Sequence, residues 1–310
     1  MSHRANLHRT RYAGVYVAPL TPTDADRQPD YRRYLAHCKW LLAQGCHGLM
    51  PLGSTGEGHS FTPDERIKLM DVLAEGGIPM DRMLVGTSAL AYPDAVRMIR
   101  HATKLGARAV AVQPAFYYKA GDEGLYAYFK LLIEQVADDR LRLIIYDWEG
   151  NLGVKFSRAV LERLFAEFPD TIVGIKDSNG NRDTIAERCQ WFPEQAVFSG
   201  ADATALAVLR AGGTGIMSAY GNILCDTLVR LHREWNNEEG ERCQATIDAF
   251  IKLSRQFSPF GAIKATMARL SGEPIWENGR PPLVPLDSAQ RQALFAGLDE
   301  MGLTARKAAE

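Results

Sequence analysis

Three stretches of this sequence end or turn on residues that could react. Thr171-Ile172-Val173-Gly174-Ile175-Lys176-Asp177-Ser178 is a short apolar, β-branched run that stops on a lysine. Leu143-Ile144-Ile145 stops in the same way on Tyr146, and Gly53-Ser54-Thr55-Gly56-Glu57-Gly58 interleaves glycines with two hydroxyl residues. An amine among apolar neighbours loses its proton more readily than one in water, and a neutral lysine is a nucleophile. A phenol beside it can pass protons to and from a carbinolamine, which is what imine formation requires. The glycine loop exposes successive backbone amides, a nest that suits a carboxylate or a phosphate. Each feature has a plainer alternative: a lysine that snorkels to solvent, a tyrosine that caps a core, a loop that only turns.

The elements around these residues must bring them together. Ile172, Val173 and Ile175 read as a strand buried on both faces, the signature of a parallel sheet covered by helices. Strand-like and helix-like segments alternate from Gly14 onward. Val15–Ala18, Gly48–Met50, Met83–Val85, Ala109–Val112, Leu143–Tyr146, the lysine strand, Ala196–Phe198 and Gly215–Met217 make eight strands. Thr62, Pro63, Asp64 and Glu65 form a helix start, and Gly106 a helix stop. Short connections without a Pro/Gly/Ser linker predict one (β/α)₈ TIM barrel, whose reactive groups would stand at the carboxyl ends of the strands. Residues 1–222 would carry the barrel core. Residues 223–310 would supply the last barrel helix and a C-terminal helical extension packed on it as one structural unit. No G-x-G-x-x-G follows the first strand, which argues against an open dinucleotide-binding sheet.

Bulk properties narrow the function classes. The 310 residues are 46% hydrophobic with a formal charge of -1, so neither a nucleic-acid nor a membrane partner is expected. Five cysteines without C-x-x-C spacing fit a reducing, cytoplasmic location rather than a disulfide framework. The basic start, Met1 to Arg11, is followed by no apolar segment of signal type. Seven histidines offer no H-x-x-x-H pair and no G-x-S-x-G elbow occurs, so a metal-dependent aldolase and a serine hydrolase both lack their groups. Lys176 is the best nucleophile left, and the expectation is no metal and no cofactor.

With lysine, tyrosine and hydroxyl loop on strand ends in this order, the chain resembles the dihydrodipicolinate synthase/N-acetylneuraminate lyase family of class I aldolases over nearly its whole length. Gly53-Ser54-Thr55-Gly56-Glu57 is similar to the family's carboxylate loop, Tyr146 to its proton-shuttling tyrosine, and Gly174-Ile175-Lys176-Asp177 to its Schiff-base segment. The resemblance implies that Lys176 and Tyr146 are catalytic, with Thr55, and that Gly53, Ser54 and Thr55 hold a 2-keto acid's carboxylate. Gly200 and Met217 would be pocket walls. Tyr117, flanked by Phe116 and Tyr118, stands where the family has a tyrosine reaching into a neighbouring subunit's site, and the family expectation is a homotetramer.

The departures lie where family members choose a second substrate. The family usually continues Tyr-Asn-x-Pro; here Asp147 and Glu149 replace the Asn and Pro, and Asn151 stands where lysine-biosynthetic synthases carry a carboxylate-binding arginine. Asp147, Glu149 and Asn151 would then line a second-substrate region that repels a dicarboxylate. The implied activity is a Schiff-base lyase acting on pyruvate or another 2-keto acid, in aldol cleavage, condensation or dehydration. Its small-molecule partner would be an aldehyde or a 2-keto-3-deoxy sugar acid. A 4-hydroxy-tetrahydrodipicolinate synthase, a pyridoxal-phosphate barrel with Lys176 as internal aldimine, and a non-catalytic keto-acid-binding barrel are the alternatives.

Overall fold

The computed structural model describes residues 7–304. Eight parallel strands, β1 (Gly14–Val17), β2 (Gly48–Leu49), β3 (Leu84–Gly86), β4 (Ala109–Val112), β5 (Leu143–Asp147), β6 (Ile172–Asp177), β7 (Ala196–Ser199) and β8 (Gly215–Ser218), pair in the order 2-1-8-7-6-5-4-3. A parallel bridge between Leu49 and Met83 closes the ring, which makes a (β/α)₈ TIM barrel. Every strand residue is buried, because helices cover the outer face and side chains fill the lumen.

Alternation along each strand separates two cores. Tyr16, Ala109, Ala111, Ile144, Tyr146, Ala196, Phe198 and Met217 point inward, and Val15, Val110, Val112, Leu143, Ile145, Val197 and Ile216 meet the helices. In β6 the period slips. Leu143 pairs with Ile172 but Ile144 pairs with Gly174, so β6 carries one extra residue. This bulge sends both Ile172 and Ile175 outward and thereby turns Lys176 inward, opposite Tyr146. Gly174 is required there, since a Cβ would collide with the Ala196 carbonyl on β7.

Helix starts follow their local chemistry. Thr62 caps Pro63–Glu75 in a reciprocal box with Glu65 (Oγ1 accepts from Glu65 N at 3.2 Å), and Asn181 caps Arg182–Trp191 by accepting from Asp183 and Thr184. Two elements have no counterpart in the sequence reading. A helix over Leu7–Tyr12 crosses the bottom of the barrel, where Arg9 donates to the Gly212, Cys189 and Phe192 carbonyls, and Glu149–Leu152 forms one short turn after β5. Both are too short to show a periodic apolar face. After Gly221–Arg233, the helices Glu238–Ser254, Pro259–Ser271 and Ser288–Glu300 complete the chain. The second of these packs Ile263 and Met267 against Leu20 and Trp276 near the carboxyl end of β1.

Candidate active site

At the carboxyl ends of the strands lies a cavity of about 310 Å³, lined among others by Ser54, Thr55, Tyr146, Lys176, Gly200 and Met217. Register sets its centre: Tyr146 on β5 and Lys176 on β6 are direct partners, and Lys176 Nζ stands 3.8 Å from the Tyr146 ring centroid. Nζ also lies 3.4 Å from the Met50 sulfur. Among the described residues no carboxylate pairs with this amine, which is only 4% exposed. Gly200 keeps the space open, because a Cβ there would fall 2.6 Å from Lys176 Cε and overlap the Ser178 hydroxyl.

Ser54 links the loop to the phenol. Its Oγ is 3.3 Å from the Tyr146 hydroxyl, while Gln113 Nε2 donates to the same Oγ at 3.4 Å. Burial pushes the Tyr146 phenol up, but the Lys176 charge and hydrogen bonding by Ser54, Lys176 and Ser178 together outweigh it, and its pKa is lowered. The loop shape comes from Glu57, whose backbone is left-handed (φ 54°), with Glu57 N donating to Ser54 O at 3.0 Å and Gly58 N to Gly53 O at 3.0 Å. The amides of Ser54 and Thr55 then donate to no acceptor among the described residues, so an anion can take both. Glu57 is itself pinned by a buried ion pair with Lys264, whose Nζ also donates to the Asn278 carbonyl at 2.6 Å.

The remaining predicted residues divide. Thr55 and Met217 line the cavity, while Gly53 lies behind it, where a Cβ would press on Met50 Cε at 3.2 Å. Ser54, rather than Thr55, bonds the phenol. Asp147, Glu149 and Asn151 do not line the cavity, which corrects the expectation of a carboxylate-rich second half. The period that turns Tyr146 inward turns Asp147 outward. There Arg188 from the helix layer pairs with it and with Asp177 (2.6 Å to Asp177), and Asn179 Nδ2 donates to it at 3.2 Å. Glu149 and Asn151 lie exposed on their short turn. Tyr117 is 73% exposed on the loop after β4 and touches Tyr118 rather than this chain's own cavity.

Several lining residues escaped the sequence reading: Trp148, Ser178, Asn179, Asp202 and Arg255. The Ser178 hydroxyl is buried without a partner. Asp202 accepts from the Ser218 hydroxyl, and burial pushes its carboxyl up to about 6. Arg255, the exposed residue that follows Glu238–Ser254, also lines the cavity. The strand-end rule could have found Ser178 and Asp202, whereas nothing local marks Arg255. Among the described residues no group of histidine, cysteine, aspartate and glutamate could hold a metal, and no helix is long and apolar enough to cross a membrane.

Known proteins match this chain over most of its length. The sequence model of the dihydrodipicolinate synthetase family covers residues 11–301. A 4-hydroxy-tetrahydrodipicolinate synthase of Rhodospirillum centenum is 31% identical over 300 residues, 94% of this chain and 99% of that one. The crystal structure of dihydrodipicolinate synthase from Agrobacterium tumefaciens superimposes with a TM-score of 0.86 at 26% identity, over 93% of this chain and 99% of that one. A dihydrodipicolinate synthase variant described as monomeric superimposes at 0.82 and 29% identity, over 95% of this chain and 98% of that one.

Proposed function

We propose, because this chain belongs to the dihydrodipicolinate synthetase family, that its lyase activity runs through a Schiff base between Lys176 and pyruvate or a related 2-keto acid. The observation that carries it is the facing pair of Tyr146 and Lys176, with Nζ 3.8 Å from the ring and no carboxylate against it. The free amides of Ser54 and Thr55 receive the keto acid's carboxylate. Lys176 attacks the ketone, and Tyr146 moves the proton that turns the carbinolamine into an iminium with loss of water. The iminium withdraws electrons from the adjacent carbon, so a C–C or C–O bond there can form or break; this chemistry needs no cofactor.

For the second substrate, the geometry supports a polyhydroxylated partner of the 2-keto-3-deoxy sugar acid type. Ser178, Asn179 and Asp202 offer hydroxyl-bonding groups on the wall beyond Lys176, and the Asp147 carboxylate is committed to Arg188. Two observations favour 4-hydroxy-tetrahydrodipicolinate synthesis as a second reading: the activity named for the Rhodospirillum relative, and Arg255, a cation on the cavity wall that a second carboxylate could meet. Exposed Leu90 on the loop after β3, Tyr92 at the start of the helix Tyr92–Lys104, and Tyr117 and Tyr118 on the loop after β4 support self-association, which light scattering tests. Borohydride added with pyruvate, followed by peptide mass spectrometry, tests the mechanism: the adduct is expected on Lys176, and an adduct on Lys119, Lys155 or Lys264, or none, refutes it. Comparing aldol and dehydration products from sugar acids with condensation of aspartate semialdehyde decides between the two substrates.

A further inference from the structure

Tyr146 is tied to more than Ser54. Gln113, 2% exposed just after β4, is fixed by its backbone amide donating to Ser88 Oγ at 2.8 Å. Its side-chain amide faces two ways, with Nε2 toward Ser54 Oγ at 3.4 Å and Oε1 toward His59 Nε2 at 2.7 Å. His59 sits on the exposed turn after Glu57, its ring edge-on to Phe116 at 5.5 Å. The left-handed backbone of Glu57 that shapes the anion nest thus also presents this imidazole to Gln113.

The chemistry of the atoms fixes a direction. An amide oxygen only accepts, so His59 Nε2 carries the hydrogen it shares with Gln113. An amide nitrogen only donates, so Ser54 Oγ accepts from Gln113 and its own hydrogen is left for the phenol oxygen. Three donors therefore point in series toward Tyr146. We propose that Gln113 and His59 are positioning residues of the tyrosine shuttle, holding Ser54 as a donor to the phenolate within a single subunit. An amide is a poor proton conductor, so the run polarises the phenol rather than draining protons to solvent. Bonds in a series polarise one another at low dielectric, and loose contacts of 3.3 and 3.4 Å in a substrate-free site tighten when the reacting groups arrive.

Other groups act on the same two residues and must be held constant. Lys176 on β6 and Ser178 beside it face Tyr146, and Asp202 lies near Lys176. Arg66, on the helix Pro63–Glu75, acts electrostatically on His59, with its guanidinium committed to the Gly86 and Ser88 carbonyls. Desolvation lowers the His59 pKa, opposed by Gln113 and helped by Arg66.

The role proposed for Gln113 and His59 rests on the Lys176–Tyr146 reading, and the test separates the two. The first measurement is the ultraviolet titration of Tyr146 without substrate, as the difference between each protein and its Tyr146→Phe counterpart. Gln113→Met is expected to raise the phenol pKa by about one unit, equivalent to a tenfold loss of phenolate at a fixed pH below the pKa. His59→Phe should shift it in the same direction by less, and His59→Gln, which keeps an amide donor, should restore it. The second is the pH profile of borohydride trapping with pyruvate: its rising limb should move up with the phenol, while half-saturation by pyruvate stays within about twofold. An unmoved or lowered phenol pKa in Gln113→Met overturns the positioning role even if wild type traps pyruvate. A raised pKa without any trapping in wild type sustains the positioning role and refutes the Schiff base.

Discussion

Two lysines of this protein are equally buried, at 4% exposure each, and live in opposite surroundings. Lys264 is clamped by the Glu57 carboxylate and the Asn278 carbonyl. Lys176 faces an aromatic ring and a thioether. Burial lowers the Lys264 pKa and Glu57 pulls it back, so that pair is a structural ion pair whose loss would strand a charge. Burial alone therefore does not separate the two; what sets apart Lys176, the lysine proposed to react, is the absence of a committed counter-charge together with space, which Gly200 provides.

The sharpest break in the comparison is removal of each amine. Lys176→Met is expected to abolish pyruvate trapping and turnover, a loss beyond about 10⁴-fold, while changing stability by less than about 1 kcal/mol because no buried carboxylate loses its partner. Next in size, Tyr146→Phe should slow imine formation by roughly 10²–10⁴-fold in rapid-quench trapping and leave the fold intact. Lys264→Met inverts the pattern: about 3–5 kcal/mol of stability should disappear in urea unfolding as Glu57 is left buried and unpaired, and Glu57→Gln in that background should recover part of it.

A third buried charge gives a pH signature. The Asp202 carboxyl titrates near 6 in the fold against an ordinary value of 3.8, so the native state keeps a proton that the unfolded chain releases. Stability relative to Asp202→Asn should fall as pH rises from about 4 to about 6, by on the order of 3 kcal/mol, and level off above. A flat difference across that window would place the carboxylate in a better solvated site. The smallest effect concerns the second substrate: Asn151→Arg, on an exposed turn outside the cavity, should change sugar-acid turnover by less than about threefold.

The parts of this site that the sequence carries plainly are those written in one strand end. Lys176, Tyr146 and the glycine loop each interrupt an apolar or helical pattern, and adjacency of neighbouring strand ends in a barrel pairs the first two. The orientation of Asp147 was equally present, since a period of two that turns Tyr146 inward must turn its neighbour out toward Arg188. Other features were not legible, for physical reasons. The extra residue in β6 looks like ordinary strand, and only its pairing with β5 reveals the bulge. Arg255 reaches the cavity wall and Lys264 pins Glu57 from positions far along the chain, and His59 meets Gln113 through a turn whose left-handed residue is a glutamate rather than a glycine. Such contacts are fixed by tertiary packing, and no local spacing announces them.

The dependence of the anion nest on Lys264 also sets an order of events during synthesis. Chains are made from the N-terminus, and a nascent chain that has emerged through Ser218 already contains all eight strands. It would carry Lys176, Tyr146 and Ser54, yet Glu57 would lack both Lys264 and the Arg280 amide, which donates to it at 3.3 Å in the finished fold. Glu57, and with it the loop that it shapes, therefore gains its full set of partners only once residues 264–280 have been made.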